Sequence, residues 1–572
     1  RFAEVHYWWT HSRRGKGLRH RRLYSMNRYE LHFVKSSDIR TQEFLLKQEK
    51  NPSSPAYGGM LEDVINVKPT VYAMATAIAV YFHPQSKFYQ SEQLLKALEL
   101  AADFVARFQR ENGSFDYPIC NFYSAPDTSF CFKRLIAAYR LMVKYDSAQT
   151  TTASLQAKCL KIMHHALNGI CEGGFHTPNH RWAIAAALLQ GANLFKNETE
   201  FSERLRVRAQ QYLAEGIDGD EYGDYAERST GNYNAVVNNA MMALYQETGD
   251  EAYLGYVIRN LQMMLTYFDE DDTIFNQNST RQDRGRLDRP DKYFYQYLYV
   301  CSIKDYPEFD AAAHRIIQNN IARGELAPDC LHIIMRHDNM RSHSFGEPGF
   351  PKEYRKYYPN AGVMRVKRPS FTYTTLRDRS QFLFFKSGSI ELSLRIGVAY
   401  CDTRSFLARR FTQTEDGCVM QDTAQGWYYE PFEQPPETND WWAMDHTKRS
   451  KVITSKLDVS VAVKETEDGL ALSIDTEGLD KLPLRLEIMT PAASILNHQS
   501  FYQTANAGQT IILRDGTLQI ENGVDIVEIG PGFGEHTFKG HYSGEEKNEV
   551  GATICCNAYT PVHREFYIRK VR

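Results

Sequence analysis

The apolar residues of this chain change their spacing once, near residue 345, and no fold built from one kind of element accommodates that change. From about Leu61 to Ile321 they recur three and four apart, as in Leu94, Leu98, Ala101, Val105 and Phe108, or Leu135, Ala138 and Met142. That is the buried stripe of an amphipathic helix, and roughly ten or eleven such segments follow one another. Beyond about Ser342 the spacing is two: Ile390, Leu392, Leu394, Ile396 and Val398 alternate with other residues, as do Leu457, Val459, Val461 and Val463. Strands are also legible in QFLFFKS, LALSI, LRLEIMT, TLQI and DIVEI, with DG, NG and EDG turn signals between them, so an antiparallel sheet assembly is expected. Gly346, Pro348, Gly349, Pro351 and Pro359 gather at the change of period. We therefore place a helical domain at 1–345 and a sheet domain at 346–572.

The 572 residues exceed what one core holds, so two domains are also the thermodynamic expectation. Helix, elaborate loop, helix, short turn, repeated, predicts a ring of helical hairpins with the elaborate loops on one face, an (α/α) toroid of the (α/α)6 kind. The net charge of −3, with basic runs only at Arg13-Arg14 and Arg19 to Arg22, excludes a phosphate-tracking nucleic-acid surface. Ten scattered cysteines without a CxxC pair, and only Cys555-Cys556 adjacent, indicate neither a zinc knuckle nor a disulfide framework. No apolar run reaches the ~18–20 residues that span a bilayer. The chain opens at Arg1 and not at Met, as a processed product does, and export is the expectation.

Polar residues crowd three loop-to-helix junctions. In GGFHTPNHRWAIAAALL, Pro178 suits a first helical position, and Asn179, His180, Arg181 and Trp182 follow it. In DGDEYGDYAERSTGNYNAVVNN, the loop carries Tyr225, Glu227 and Arg228, and Asn232, Tyr233 and Asn234 stand where the next helix begins. A cation such as Arg228 near the Tyr233 phenol would favour phenolate. In FNQNSTRQDRGR, Asn276, Asn278 and Arg281 can share a face, although a solvated polar loop is an equal reading. Each junction also has a purely structural reading, in which Asn caps, Arg pairs and Trp or Tyr packs. The oxygen-rich DGDEYGD can house a structural calcium ion, without the spacing of an EF-hand.

An Asn-His pair opening a helix, followed about fifty residues on by an acidic, glycine-rich loop and a Tyr at the next such junction, resembles the helical-toroid polysaccharide lyases of the heparinase and alginate-lyase groups. Those families pair a helical toroid with an antiparallel β-sandwich. The resemblance implies Asn179 and His180 as neutralisers of a uronate carboxylate, Tyr233 as proton shuttle and Arg228 as its partner. It implies sugar contacts from Arg181, Trp182, Tyr225, Glu227, Asn232, Asn234 and Arg281, and no required cofactor. The His-x-His-x-Asp run of many heparinase-like sheet domains has no counterpart in RSQFLFFKSGSIELSLRIGVAYCD.

Taken whole, the chain looks most like the gut-bacterial rhamnose–glucuronate lyases, which remove terminal rhamnose from arabinogalactan. That resemblance implies exo β-elimination on acidic plant polysaccharide side chains, in the periplasm or outside the cell. Two other classes stay open. A glycoside hydrolase on a helical ring would draw paired carboxylates from Asp220, Glu221, Asp224 and Glu227. A noncatalytic glycan-binding protein would use Trp8, Trp9, Trp441 and Trp442.

Overall fold

The computed structural model describes residues 25–346, 349–538, 541 and 544–571. Trp8, Trp9 and the basic runs at Arg13-Arg14 and Arg19 to Arg22 lie outside the described residues. The chain divides into two compact units, Arg1–Pro351 and Lys352–Arg572.

The first unit is a closed ring of helical hairpins. Outer helices Asn27–Lys47, Glu92–Arg107, Ala153–Glu172, Thr199–Leu213, Glu251–Met264 and Pro307–Ala322 alternate with inner ones. The inner helices are Val67–Phe82, Ala125–Tyr145, Pro178–Leu194, Tyr233–Thr248, Phe294–Ile303 and the single turn Leu331–Ile334. That last turn packs against Val67–Phe82 and Ala125–Tyr145, which closes the ring. Inner helices are buried nearly all round: Ala185, Leu188, Met241, Leu244, Leu298 and Val300 are all inaccessible. Outer helices such as Glu92–Arg107 bury only one stripe, here Leu94, Leu98, Ala101, Ala102, Phe104 and Val105.

Inner helices lead to the next outer helix through short turns, as at Asp146–Thr152 or Phe195–Glu198. Outer helices lead back through the longer segments 108–124, 214–232 and 265–293, and through the short but glycine-rich 173–177. The elaborate loops therefore all feed the N-termini of inner helices and gather at one end of the ring, as expected. The positive ends of the inner helix dipoles gather there too, which favours anions. The first helix, Asn27–Lys47, escaped the apolar count because its buried face includes Glu30, Ser36, Ser37, Asp38 and Thr41.

The second unit is a sandwich of two nine-stranded sheets. One runs, in spatial order, through Phe501–Thr504, Ile495–His498, Leu518–Glu521, Ile526–Gly530, His563–Lys570, Gly469–Glu477, Lys451–Glu465, Gly417–Tyr429 and Arg410–Thr414. The other runs through Thr510–Ile512, Gly551–Tyr559, Pro483–Pro491, Ile390–Tyr400, Leu383–Ser387, Thr372–Leu376, Val363–Lys367 and Tyr354–Tyr358, with Thr403–Ser405 paired to Ile390–Tyr400. Pairing is antiparallel except where Thr510–Ile512 meets Gly551–Tyr559. The alternating residues Leu392, Leu394 and Ile396 of one sheet and Val459, Val461 and Val463 of the other share one apolar core.

Candidate functional site

Pro178 opens the helix Pro178–Leu194 and Asn232 is the N-cap residue of Tyr233–Thr248, so the first two junctions stand at the loop end of neighbouring inner helices, which pack together. The third junction, the loop 276–288, folds onto the second. Thr280 donates through Oγ1 to the Glu227 carbonyl at 2.8 Å. Asp283 accepts from Ser229 Oγ at 2.8 Å and from the Gly231 N–H at 3.0 Å. A Cβ on Gly231 would lie 2.3 Å from Asp288 Oδ2 and 2.9 Å from Asp283 Oδ2, so only glycine permits this approach.

Glu227 is the hub of the cluster. It is 5% exposed and accepts from Asn179 Nδ2 at 2.7 Å and from the Asn179 N–H at 3.3 Å. Its Oε1 lies 3.0 Å from Arg281 Nη1. Burial raises its carboxyl, and the hydrogen bonds from Asn179 and the charge of Arg281 oppose that rise. Arg281 in turn lies over the face of Tyr233, 4.7 Å from the ring centroid. Tyr233 is half-buried, its N–H donates to Ser229 Oγ at 2.9 Å, and its hydroxyl has no hydrogen-bond partner among the described residues. A phenol beneath a guanidinium is thus linked through Glu227 to the start of the neighbouring inner helix.

The cation over Tyr233 is Arg281, whereas the sequence pointed to Arg228. Arg228 holds the left-handed region, with φ of 49°, and its charge acts on Asp224. The spacing misled because chain proximity put Arg228 five residues from Tyr233, while the fold brings Arg281 from another loop. His180 also departs from expectation. Burial first, and the neighbouring His176 next, pull its imidazole down to about 4, so at neutral pH it offers a hydrogen-bonding ring and not a positive charge. The His176 ring stands edge-on to it at 5.0 Å and the Phe130 ring at 6.0 Å. Its Nδ1 is buried without a partner.

Other expected sugar contacts prove to be braces. Trp182 is fully buried and donates from Nε1 to Asp218 Oδ1 at 2.7 Å, which removes it from any sugar-facing surface. Arg181 pairs with Glu215 at 3.0 Å and Asp218 at 3.4 Å while lying over the Trp182 ring. Tyr225 is 4% exposed, donates to Asn238 Oδ1 at 2.9 Å, and burial raises its phenol well above the usual range. Asn234 is buried against Asp224, 3.2 Å away. Asn179 sits behind Glu227 with its Oδ1 buried and unpaired, so it orients Glu227 before it meets any ligand. Asn276 braces its own loop through the Arg286 carbonyl and the Gly285 N–H, and Asn278 is buried with neither amide atom paired.

Asn232 does face open space. It lines a cavity of about 330 Å³ inside the ring, a size at the lower end for ligand sites. Lys133, Arg134, Lys292, His332 and Arg336 also line it. Arg134 is paired with Asp329 at 3.3 Å. Lys133 has no carboxylate partner among the described residues, and burial, aided by Arg134 and Lys68, pulls its amine down to about 7. The sequence reading missed this cationic lining, although Lys133-Arg134 stands directly before the apolar run LIAA in FKRLIAAYRL.

Within DGDEYGD, Asp220 accepts from the N–H groups of Tyr222 and Asp224, both at 2.9 Å, Asp224 meets Asn234, and Glu221 is exposed. In the second unit, Trp441 and Trp442 are exposed, by 50% and 91%, with the Trp441 ring 4.2 Å from that of His446. Among the described residues no helix is long and apolar enough to cross a membrane.

No protein-family model and no curated protein matches the sequence. Solved structures do match the fold. A xanthan lyase from Paenibacillus aligns over 95% of this chain with a TM-score of 0.53 and 9% identity. The chain spans 57% of that enzyme's length. A chondroitin AC lyase from Streptomyces coelicolor, solved with chondroitin sulphate, aligns over 95% of this chain and 80% of its own, with a TM-score of 0.53 and 10% identity. A heparinase III aligns over 91% and 78%, with a TM-score of 0.52 and 10% identity. The chain has the architecture of the polysaccharide lyases that join a helical toroid to a β-sandwich.

Proposed function

We propose that the protein is a polysaccharide lyase that cleaves a bond 4-linked to a uronic acid by β-elimination. The observation that carries this reading is the Tyr233 phenol, its hydroxyl unpartnered among the described residues and its ring under Arg281, at the start of an inner helix whose N-cap residue Asn232 lines a cavity that also carries Lys133, Arg134 and Lys292. Removing the C5 proton of a uronate builds negative charge on its carboxylate, so donors and cations aimed there stabilise the transition state more than the ground state. Arg281 and the helix N-termini supply positive potential, and neutral His180 supplies a hydrogen bond.

In a glucuronate chair the C5 hydrogen and the C4 oxygen share one face, so one group above that face serves both steps. Tyr233 as phenolate takes the C5 proton, the C4–O bond breaks with its electrons going to oxygen, and a C4–C5 double bond forms. The phenol then returns the proton to the departing oxygen. The hydrolase alternative needs two carboxyl groups facing the sugar. Asp224 and Glu227 are 4% and 5% exposed and face Asn234, Asn179 and Arg281, which favours the lyase.

The finer reading is exo action on terminal rhamnose-α-1,4-glucuronate of arabinogalactan, by an enzyme working in the periplasm or outside the cell. The modest volume of the cavity, about 330 Å³, supports a chain end as substrate. Incubation with glucuronate-bearing arabinogalactan should give the ultraviolet absorbance of an unsaturated uronate and early free rhamnose, with polymer size nearly constant. Sugar release that leaves a saturated uronate would identify a hydrolase, and an early fall in polymer mass would identify endo action.

A further inference from the structure

The helical unit carries a second polar cluster, away from the chemistry at Tyr233. Cys301 ends the helix Phe294–Ile303, Asp310 lies in the first turn of Pro307–Ala322, and His343 follows the short helix Asp338–Ser342. One donor atom from each lies within 4.8 Å of the other two. Cys301 Sγ is 3.6 Å from His343 Nε2, and Asp310 Oδ1 is 2.5 Å from the same Nε2.

That shared nitrogen decides the reading. In a thiol–imidazole–carboxylate relay the acid and the thiol occupy opposite ring nitrogens, one receiving a proton while the other is held. Here both converge on Nε2, so with its proton directed to Asp310 that nitrogen is no base for the thiol. The Cys301 thiol is directed instead to the Leu298 carbonyl at 3.5 Å, which leaves sulfur lone pairs toward His343. A thiol sulfur, an imidazole nitrogen and a carboxylate oxygen thus converge on one point, an arrangement that a metal ion can occupy.

We propose that Cys301, Asp310 and His343 bind a zinc-type divalent transition-metal ion. Metal–ligand lengths of ~2.3 Å to sulfur and ~2.0–2.1 Å to nitrogen put tetrahedral S and N ligands about 3.6 Å apart, the separation already present. Oxygen and nitrogen ligands would stand about 3.4 Å apart, so Asp310 must swing by less than about 1 Å. Thiolate with imidazole selects a zinc-type ion over calcium or magnesium. The second carboxylate oxygen of Asp310 accepts the Gly346 N–H, and the His343 ring stands edge-on to Phe345 at 5.3 Å, so both ligands are held from behind. The side chains of His343 and Asp310 are 15% and 14% exposed, which gives an ion entry. Among the described residues the group stops at three, so water takes the fourth position. Binding replaces the thiol proton, which leaves to solvent.

The ion would fasten the ring. The His343 carbonyl accepts the Met26 N–H at 2.9 Å, and Ser344 bridges to Ser25, so the segment bearing His343 also joins the first and last described parts of the helical unit. The test uses the full chain, stripped with chelator and titrated with zinc and, separately, cobalt. We expect one zinc per chain, a rise in the melting temperature of the helical unit of about 5–10 °C at a hundredfold excess over Kd, and a thiolate-to-cobalt charge-transfer band. Cys301→Ser should abolish the band, and Asp310→Asn should weaken binding while leaving the band's sulfur origin intact. A band and stoichiometry unchanged in Cys301→Ser, or no binding by the unsubstituted chain, overturns the proposal.

Discussion

Replacing Tyr233 by Phe separates chemistry from structure at this site. The substitution deletes one oxygen that no described side chain or backbone group bonds. What holds the residue in place survives: its N–H still meets Ser229 Oγ at 2.9 Å, and its ring still lies 4.7 Å beneath Arg281. The expected change in stability is within about 0.5 kcal/mol, or about 1–2 °C for a unit of this size. The expected loss of turnover is about 10²–10⁴-fold, the range for a positioned acid–base group, equivalent to ~2.7–5.5 kcal/mol of barrier. Tyr225→Phe is the internal control, because its hydroxyl is buried on Asn238 Oδ1. Removing that hydroxyl leaves a buried acceptor unsatisfied, costs about 1–3 kcal/mol of stability and should spare turnover per folded molecule. The assay is the growth of unsaturated-uronate absorbance, with melting curves for each variant. Turnover of Tyr233→Phe within tenfold of the unsubstituted protein refutes the proton-shuttle role.

Gly231→Ala should push the loop 276–288 off the site, because its Cβ meets Asp288 and Asp283; a loss of about 1–3 kcal/mol in melting and a fall in turnover are expected, and an unaltered melt would show that the loop is not held there. Lys133→Met should raise KM for an acidic glycan several-fold with kcat little changed, since it removes a partly charged amine from the cavity; an unchanged KM places the substrate elsewhere. Asp224, pushed up to about 7 by burial, keeps a proton that the unfolded chain loses from 3.8 upward, so its contribution is lost as pH rises through that window. Asp224→Asn should therefore gain on the unsubstituted protein by about 3 kcal/mol between pH 5 and pH 8, and a constant difference in melts would refute this. His180 acts with the opposite sign: its imidazole, pulled down from 6.5 to about 4, loses stabilisation as pH falls through that range, which His180→Gln should remove.

The change of hydrophobic period gave the order of helices and strands because burial acts on every residue of an element. Val461 and Leu394 face a shared core for the same reason that they alternate with other residues. The first helix was lost to that logic, since Ser36, Ser37, Asp38 and Thr41 fill its buried face. The junctions at Asn179-His180 and Asn232-Tyr233 were legible from Pro178 and from the onset of helical spacing. Which junction residues face solvent was not. Trp182, Tyr225 and Asn234 have the composition of a sugar site and the burial of a core, and exposure depends on neighbours such as Asp218, Asn238 and Asp224 that no local spacing reveals.

The choice between Arg228 and Arg281 shows what a spacing argument leaves out. Both are cations within loops that feed inner helices, and Arg228 is nearer to Tyr233 in the chain. The decision is made by Glu227, a carboxylate held by Asn179 from one helix start and by Arg281 from another loop. Two further links, Thr280 to the Glu227 carbonyl and Asp283 to Ser229 and Gly231, fix that loop in place. A guanidinium held at both ends of such a chain loses little freedom in stabilising the phenolate, so its stabilisation is available without reorganisation. Removing Glu227 should then act on chemistry through Arg281: Glu227→Gln keeps the Asn179 contact while loosening the guanidinium, and the fall in turnover should be accompanied by a shift in its pH profile. A fall in melting temperature alone, with the pH profile intact, would make Glu227 a structural carboxylate and leave Arg281 positioned by its own loop.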